Sequence, residues 1–132
     1  MRFNEIDFDP AWITQGANKT MTEFADGAGK ELAKKLTTSQ IRNIYSEIKR
    51  IQSVGFENDK SSFYLLKPKV AYAYGRTVKK SRDGLFGNNG LKVFKEIFDD
   101  AANAVTDEKS YNNFCNLMEA ILAYHKYYGG RD

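Results

Sequence analysis

Three features of the sequence predict an all-α protein, a compact bundle of four to five helices. Apolar residues recur at three-and-four spacing in successive segments, no stretch alternates every second residue as a half-buried strand would, and only two prolines, Pro10 and Pro68, interrupt 132 residues. A chain of this length suits one domain with a single core.

Residues 1–19 show no period, and Phe8, Pro10 and Trp12 predict an extended arm that packs on a surface; residues 20–132 then form the helical domain. The first helix is expected to open at Thr20, where T-M-T-E reads as a capping box, with Met21, Phe24, Ala25, Ala28 and Leu32 on one face. Gly27 and Gly29 each cost this helix about 1 kcal/mol relative to alanine, so it needs packing to hold it. The second helix repeats the capping pattern at Thr37–Gln40, carries Ile41, Ile44, Tyr45, Ile48 and Ile51 along one side, and stops at Gly55. Phe63, Leu66, Val70, Ala73 and Tyr74 mark a third; Pro68 either sits in a first helical turn, where it costs nothing, or kinks a longer helix at ~3 kcal/mol, and the first is preferred, with a helical turn before Lys67 and a main segment from Pro68 to Gly75.

SRDGLFGNNG, residues 81–90, is dense in turn residues and reads as an exposed loop. Leu91, Phe94, Phe98, Ala101, Ala102 and Val105 predict a fourth helix. A fifth runs from about Asp107 to Tyr128, opened by Thr106, with Tyr111, Phe114, Cys115, Met118, Ile121, Leu122 and His125 on its stripe and Gly129–Gly130 at its end.

Composition narrows the chemistry. One cysteine, Cys115, allows no internal disulfide, and the charged N-terminus lacks the apolar run of a secretion signal, so a reducing, cytoplasmic setting is expected. No stretch approaches the ~20 apolar residues of a membrane span, and no membrane partner is expected. A single histidine and a single cysteine cannot build a His/Cys metal cluster. Cys115 and His125 stand roughly 15 Å apart along one helix, too far to form a nucleophile pair. No P-loop, dinucleotide-binding or G-x-S-x-G pattern is present. Glu96, Asp99 and Asp100 share helical spacing, a cluster that reads either as a solvated face or as magnesium ligands for phosphodiester cleavage. The solvated face is the simpler reading, and neither a catalytic residue nor a cofactor is assigned.

Charge is unevenly placed. Residues 60–82 carry seven cations and no anion, whereas residues 83–132 carry five cations and eight anions. On a helix, Lys69, Tyr72 and Arg76 share one flank, and Lys79, Lys80 and Arg82 follow. Phosphates are attracted to such a surface, and unpaired bases stack on interleaved tyrosines. Charge alone leaves a polyanion-binding surface and a plain solvated face both open.

QIRNIYSEIKRI (Gln40–Ile51), LLKPKVAYAYGR (Leu65–Arg76) and EAILAYHKYYGGRD (Glu119–Asp132), in this order, resemble the small subunit of type III-A CRISPR effector complexes, over roughly residues 20–132. The arm at 1–19 and the loop at 81–90 lie outside the stretches that carry the resemblance. The resemblance implies a non-catalytic helical bundle, stacked in several copies beside the backbone and large subunits of the complex, that contacts the phosphates of guide RNA and target RNA in antiviral defence. By motif it points to Arg42, Lys49 and Arg50 in the first stretch and Lys67, Lys69 and Arg76 in the second as RNA-binding residues. Lys79, Lys80 and Arg82 join them on charge alone. Tyr124, His125, Tyr127 and Tyr128 are expected to pack within the bundle or against the next copy. The alternative reading is a helical protein-interaction module whose basic face meets an acidic partner with no RNA role.

Overall fold

A computed structural model describes residues 2–80 and 89–129. In chain order these form β1 (Arg2–Phe3), β2 (Ile6–Asp7), α1 (Ala11–Thr14), α2 (Lys19–Ala33), α3 (Thr38–Val54), a 3-10 turn at Phe56–Asn58, α4 (Lys60–Lys80), α5 (Asn89–Ala102) and α6 (Glu108–Tyr127). The protein is all-α, as expected, apart from one two-stranded ribbon. The loop expected at 81–90 falls outside the described residues except for Asn89 and Gly90, which open α5.

The segment expected to be an extended arm that packs on a surface packs on its own chain, and contrary to the non-helical expectation it includes the short α1. Asn4 and Glu5 take positive φ of 53° and 62°, the backbone of a tight two-residue turn, and Phe3 pairs with Ile6 across it. Asp9 then accepts the Ala11 N–H at 2.9 Å and starts α1. Aromatic burial drives this path: Phe3, Phe8 and Trp12 surround Phe24 of α2, with ring centroids 5.1–6.2 Å from it. Trp12 and Ile13 are fully buried. Periodicity cannot reveal such a segment, because its partners are contributed by another helix.

Two helix starts differ from the expected ones. The cap of α2 is Asn18, not Thr20: its extended backbone lets Oδ1 accept the Met21 N–H at 2.8 Å, the geometry for which asparagine is a preferred cap. The cap of α6 is Asp107, not Thr106, in a reciprocal capping box with Ser110. Hydrogen bonds from Ser110 hold the Asp107 carboxyl below its ordinary range.

The core lies where α2 packs along α6, with α1 against α6, α3 against α4 and α6, and α4 against α5. Gly29 explains the closeness of α2 to α6: a Cβ there would sit 2.5 Å from Cβ of Tyr124 and 2.8 Å from the His125 nitrogen. At Gly27 an added Cβ would meet Phe3 of the ribbon at 2.9 Å. The two glycines that weaken α2 in isolation therefore permit the approach that holds it. Tyr111 donates its hydroxyl to the Ile48 carbonyl at 2.6 Å and stacks on Phe56, tying α6 to α3 and to the turn after it.

Pro68 does not start a helix; it lies inside α4, which runs unbroken from Lys60 to Lys80. Phe63, Leu66 and Val70 are buried on one side of α4, while Tyr64 and Pro68 are exposed on the other. The hydrogen bond that proline removes, to the Tyr64 carbonyl, is thus lost on the exposed side of the helix, where its cost is smallest.

Candidate nucleic-acid interface

Helices α3 and α4 are joined by the short Phe56–Asn58 turn, and Gly55, at φ 95°, makes the reversal that starts it. The two helices pack together, and a groove of about 600 Å³ opens between them, floored by the buried Ile44 and Leu66. Ser39, Asn43 and Glu47 form its α3 wall at successive helical turns, while Lys69, Tyr72 and Ala73 form its α4 wall. Tyr72 is 70% exposed, an aromatic ring that folding leaves in solvent.

The expected RNA-binding cations reach several sides of the bundle rather than one stripe. Lys69 borders the groove and makes no ion pair with a described residue. Arg42 is exposed on α3 and likewise unpaired among the described residues. Lys67 leaves the groove and hydrogen-bonds Asn103 Oδ1 at the end of α5, 3.0 Å away. Lys49 lies on the flank of α3 that faces α6, 3.1 Å from Gln52 Oε1 and 4.0 Å from Glu119.

Arg50 is held by its own chain: its guanidinium donates twice to Glu47, at 2.7 and 3.1 Å, and once to Asp59 at 2.9 Å. The fork geometry suits this bidentate pairing. It depresses the pKa of Glu47, while Ser62 and then Arg50 depress that of Asp59. The backbone carrying Arg76, Lys79 and Lys80 continues α4, so Lys69 and Lys80 stand about 16 Å apart along the axis. Arg82 lies outside the described residues.

Sequence reasoning did not single out Ser39, Asn43 and Glu47 as parts of a site. Their four-residue spacing on α3 was readable, but a groove needs a second helix and its register. The Glu47–Arg50 pair was likewise readable as a three-residue spacing; the Asp59 contact, from the following element, was not.

The other groups weighed from the sequence are occupied structurally. Asp99 binds Lys95 at 2.7 Å, and among the described residues no group of three or more His, Cys, Asp or Glu is arranged to hold a metal ion. Burial raises the Cys115 thiol to about 11, well out of the nucleophilic range. His125 is fully buried with Nε2 2.6 Å from the Leu36 carbonyl. Tyr124 packs against the core, and Tyr128 bonds Asp26 with Lys30 lying over its ring, whereas Tyr127 remains 77% exposed. Among the described residues no helix is long and apolar enough to cross a membrane.

Comparison with known proteins gives this helical architecture a family. The family model described as Csm2 Type III-A matches residues 15–131. A curated relative from Streptococcus thermophilus, "CRISPR system Cms protein Csm2", is 32% identical over 101 residues, covering 74% of this chain and 76% of that protein. No solved structure matches. The matched span runs from the end of α1 through α6 and contains both helices of the groove, so the chain belongs to the Csm2 family, the small structural subunit of the type III-A CRISPR Csm complex.

Proposed function

We propose that this chain is a non-catalytic, cytoplasmic, RNA-binding subunit. Copies of it stack beside the backbone and large subunits of the Csm complex and contact the phosphates of guide RNA and target RNA during antiviral defence. One observation carries the RNA reading: the seven-cation, anion-free segment 60–82 lies largely on a single helix whose backbone is continuous to Lys80. Lys69, at the edge of the groove, is the leading contact. Arg76, Lys79 and Lys80 follow it along the same helix, Arg82 comes next in the sequence, and the exposed Arg42 of α3 and Lys67 of α4 are further candidates. Lys49 and Arg50 are weaker candidates, because carboxylates of the same chain already face them.

Phosphate contacts release counterions and carry no base identity, so binding is expected to fall steeply with salt and to depend little on sequence. Changing Lys69→Ala together with Arg76→Ala should weaken single-stranded RNA binding without unfolding the protein. The slope of log affinity against log salt should drop by ~0.7 for each phosphate that is no longer neutralised. Anisotropy titrations across salt concentrations measure it; an unchanged slope removes this site.

A further inference from the structure

The groove between α3 and α4 holds more than a phosphate needs. A phosphate-tracking surface requires donors and cations, yet here the floor is apolar, from the nearly buried Ile44 and the fully buried Leu66, and one wall is the exposed ring of Tyr72. The α3 wall supplies Asn43, whose side-chain amide has no partner among the described residues, and the Ser39 hydroxyl, which shares a 3.0 Å hydrogen bond with Thr37. Glu47 would repel an anion, but Arg50, which it shares with Asp59, gives it two hydrogen bonds and Lys69 attracts it as well; Lys69 is the cation of the groove that makes no ion pair with a described residue. The space, about 600 Å³, lies within the range of small-ligand sites.

We propose that this groove is a seat for one unpaired nucleobase of the bound RNA, stacked on Tyr72 over the Ile44–Leu66 floor, with its polar edge toward Asn43 and Ser39 and its phosphate at Lys69. This rests on the RNA-binding reading above and adds a base contact to it. An aromatic face, an apolar floor, an amide and a cation within one groove match the parts of a nucleotide. A purely apolar side chain from a protein partner fits less well, since it would bury the Asn43 amide with nothing to pair it, whereas the Ser39 hydroxyl already shares a hydrogen bond with Thr37. Single-stranded RNA is commonly held by stacking splayed bases on aromatic rings, with hydrogen bonds to their edges. Every base has a stackable face, so the seat tolerates any sequence.

The test compares binding of the full chain to a short fluorescein-labelled oligouridine and to an oligomer of equal length with abasic riboses, which keeps the phosphates and removes the bases. The seat predicts a preference for the base-bearing strand of at least about fivefold, the lower end of what base stacking contributes. Tyr72→Ala should erase that preference, Tyr72→Phe should keep it, and Lys69→Gln should weaken both strands alike. Equal binding of the two strands by the unchanged protein, with Lys69→Gln still weakening both, overturns the seat and leaves the phosphate reading standing. Failure to bind either strand overturns both. A preference that survives Tyr72→Ala in a folded protein also overturns the seat, because the bases are then read elsewhere.

Discussion

Across the α2–α6 contact a Cβ on Gly29 would lie 2.5 Å from Tyr124, whereas between α3 and α4 a groove of about 600 Å³ stays open beside the exposed Tyr72. The first region is sealed: Phe3, Phe8 and Trp12 close over Phe24, and no room remains for a single added carbon at Gly29. In the second, the helices touch only along their inner faces and diverge in what they present outward. On the proposed function, stability and recognition fall to different pairs of helices. A change on the sealed side should alter folding before binding, and a change on the open side should alter binding before folding.

The strongest way to break this division is Trp12→Ala. If the arm belongs to the sealed core, removing this fully buried ring should cost about 3–5 kcal/mol in urea unfolding. A cost below about 1 kcal/mol, the range of an ordinary substitution, would mean that residues 2–14 merely rest on the bundle. Next is Gly29→Ala. Overpacking costs about 1–3 kcal/mol, against which alanine returns ~1 kcal/mol of helix propensity, so net destabilisation is expected and RNA affinity of the remaining folded protein should not change. A stabilised variant would show that α2 and α6 separate easily.

The smallest effect sharpens the open side. Arg50→Ala should weaken RNA binding a few-fold by exposing the Glu47 and Asp59 carboxylates, with little effect on folding. Adding Glu47→Gln to that variant should recover much of the affinity. If it recovers nothing, Arg50 contacts phosphate directly and its carboxylate partners are incidental.

The stripes of α3, α5 and α6 were legible in the sequence because their burial follows the chain's own period: Ile41, Ile44, Ile48 and Ile51 are all buried where the three-and-four pattern put them. The arm was not, since the fate of Phe3 and Trp12 depends on Phe24, which belongs to a separate helix. Pro68 misled for a different reason. Local chemistry favours a break there, and the helix continues because Leu66 and Val70 are anchored on either side while the missing hydrogen bond faces water. At the candidate site, charge marked α4 as the distinctive segment, but charge cannot say which cations are already paired. Lys49 and Arg50 share their motif with Arg42; Glu47 beside Arg50 was readable from spacing, but the contacts with Glu119 and Asp59 come from other elements.

The glycine contact between α2 and α6 also has a mechanical meaning. With backbone lying directly against backbone at Gly29 there is no rotamer to absorb a displacement, and close-packed interiors compress little. The two helices therefore move as one beam. A change that displaces α6 near Tyr124 must displace α2 at Gly29 and, through Gly27, Phe3 of the ribbon.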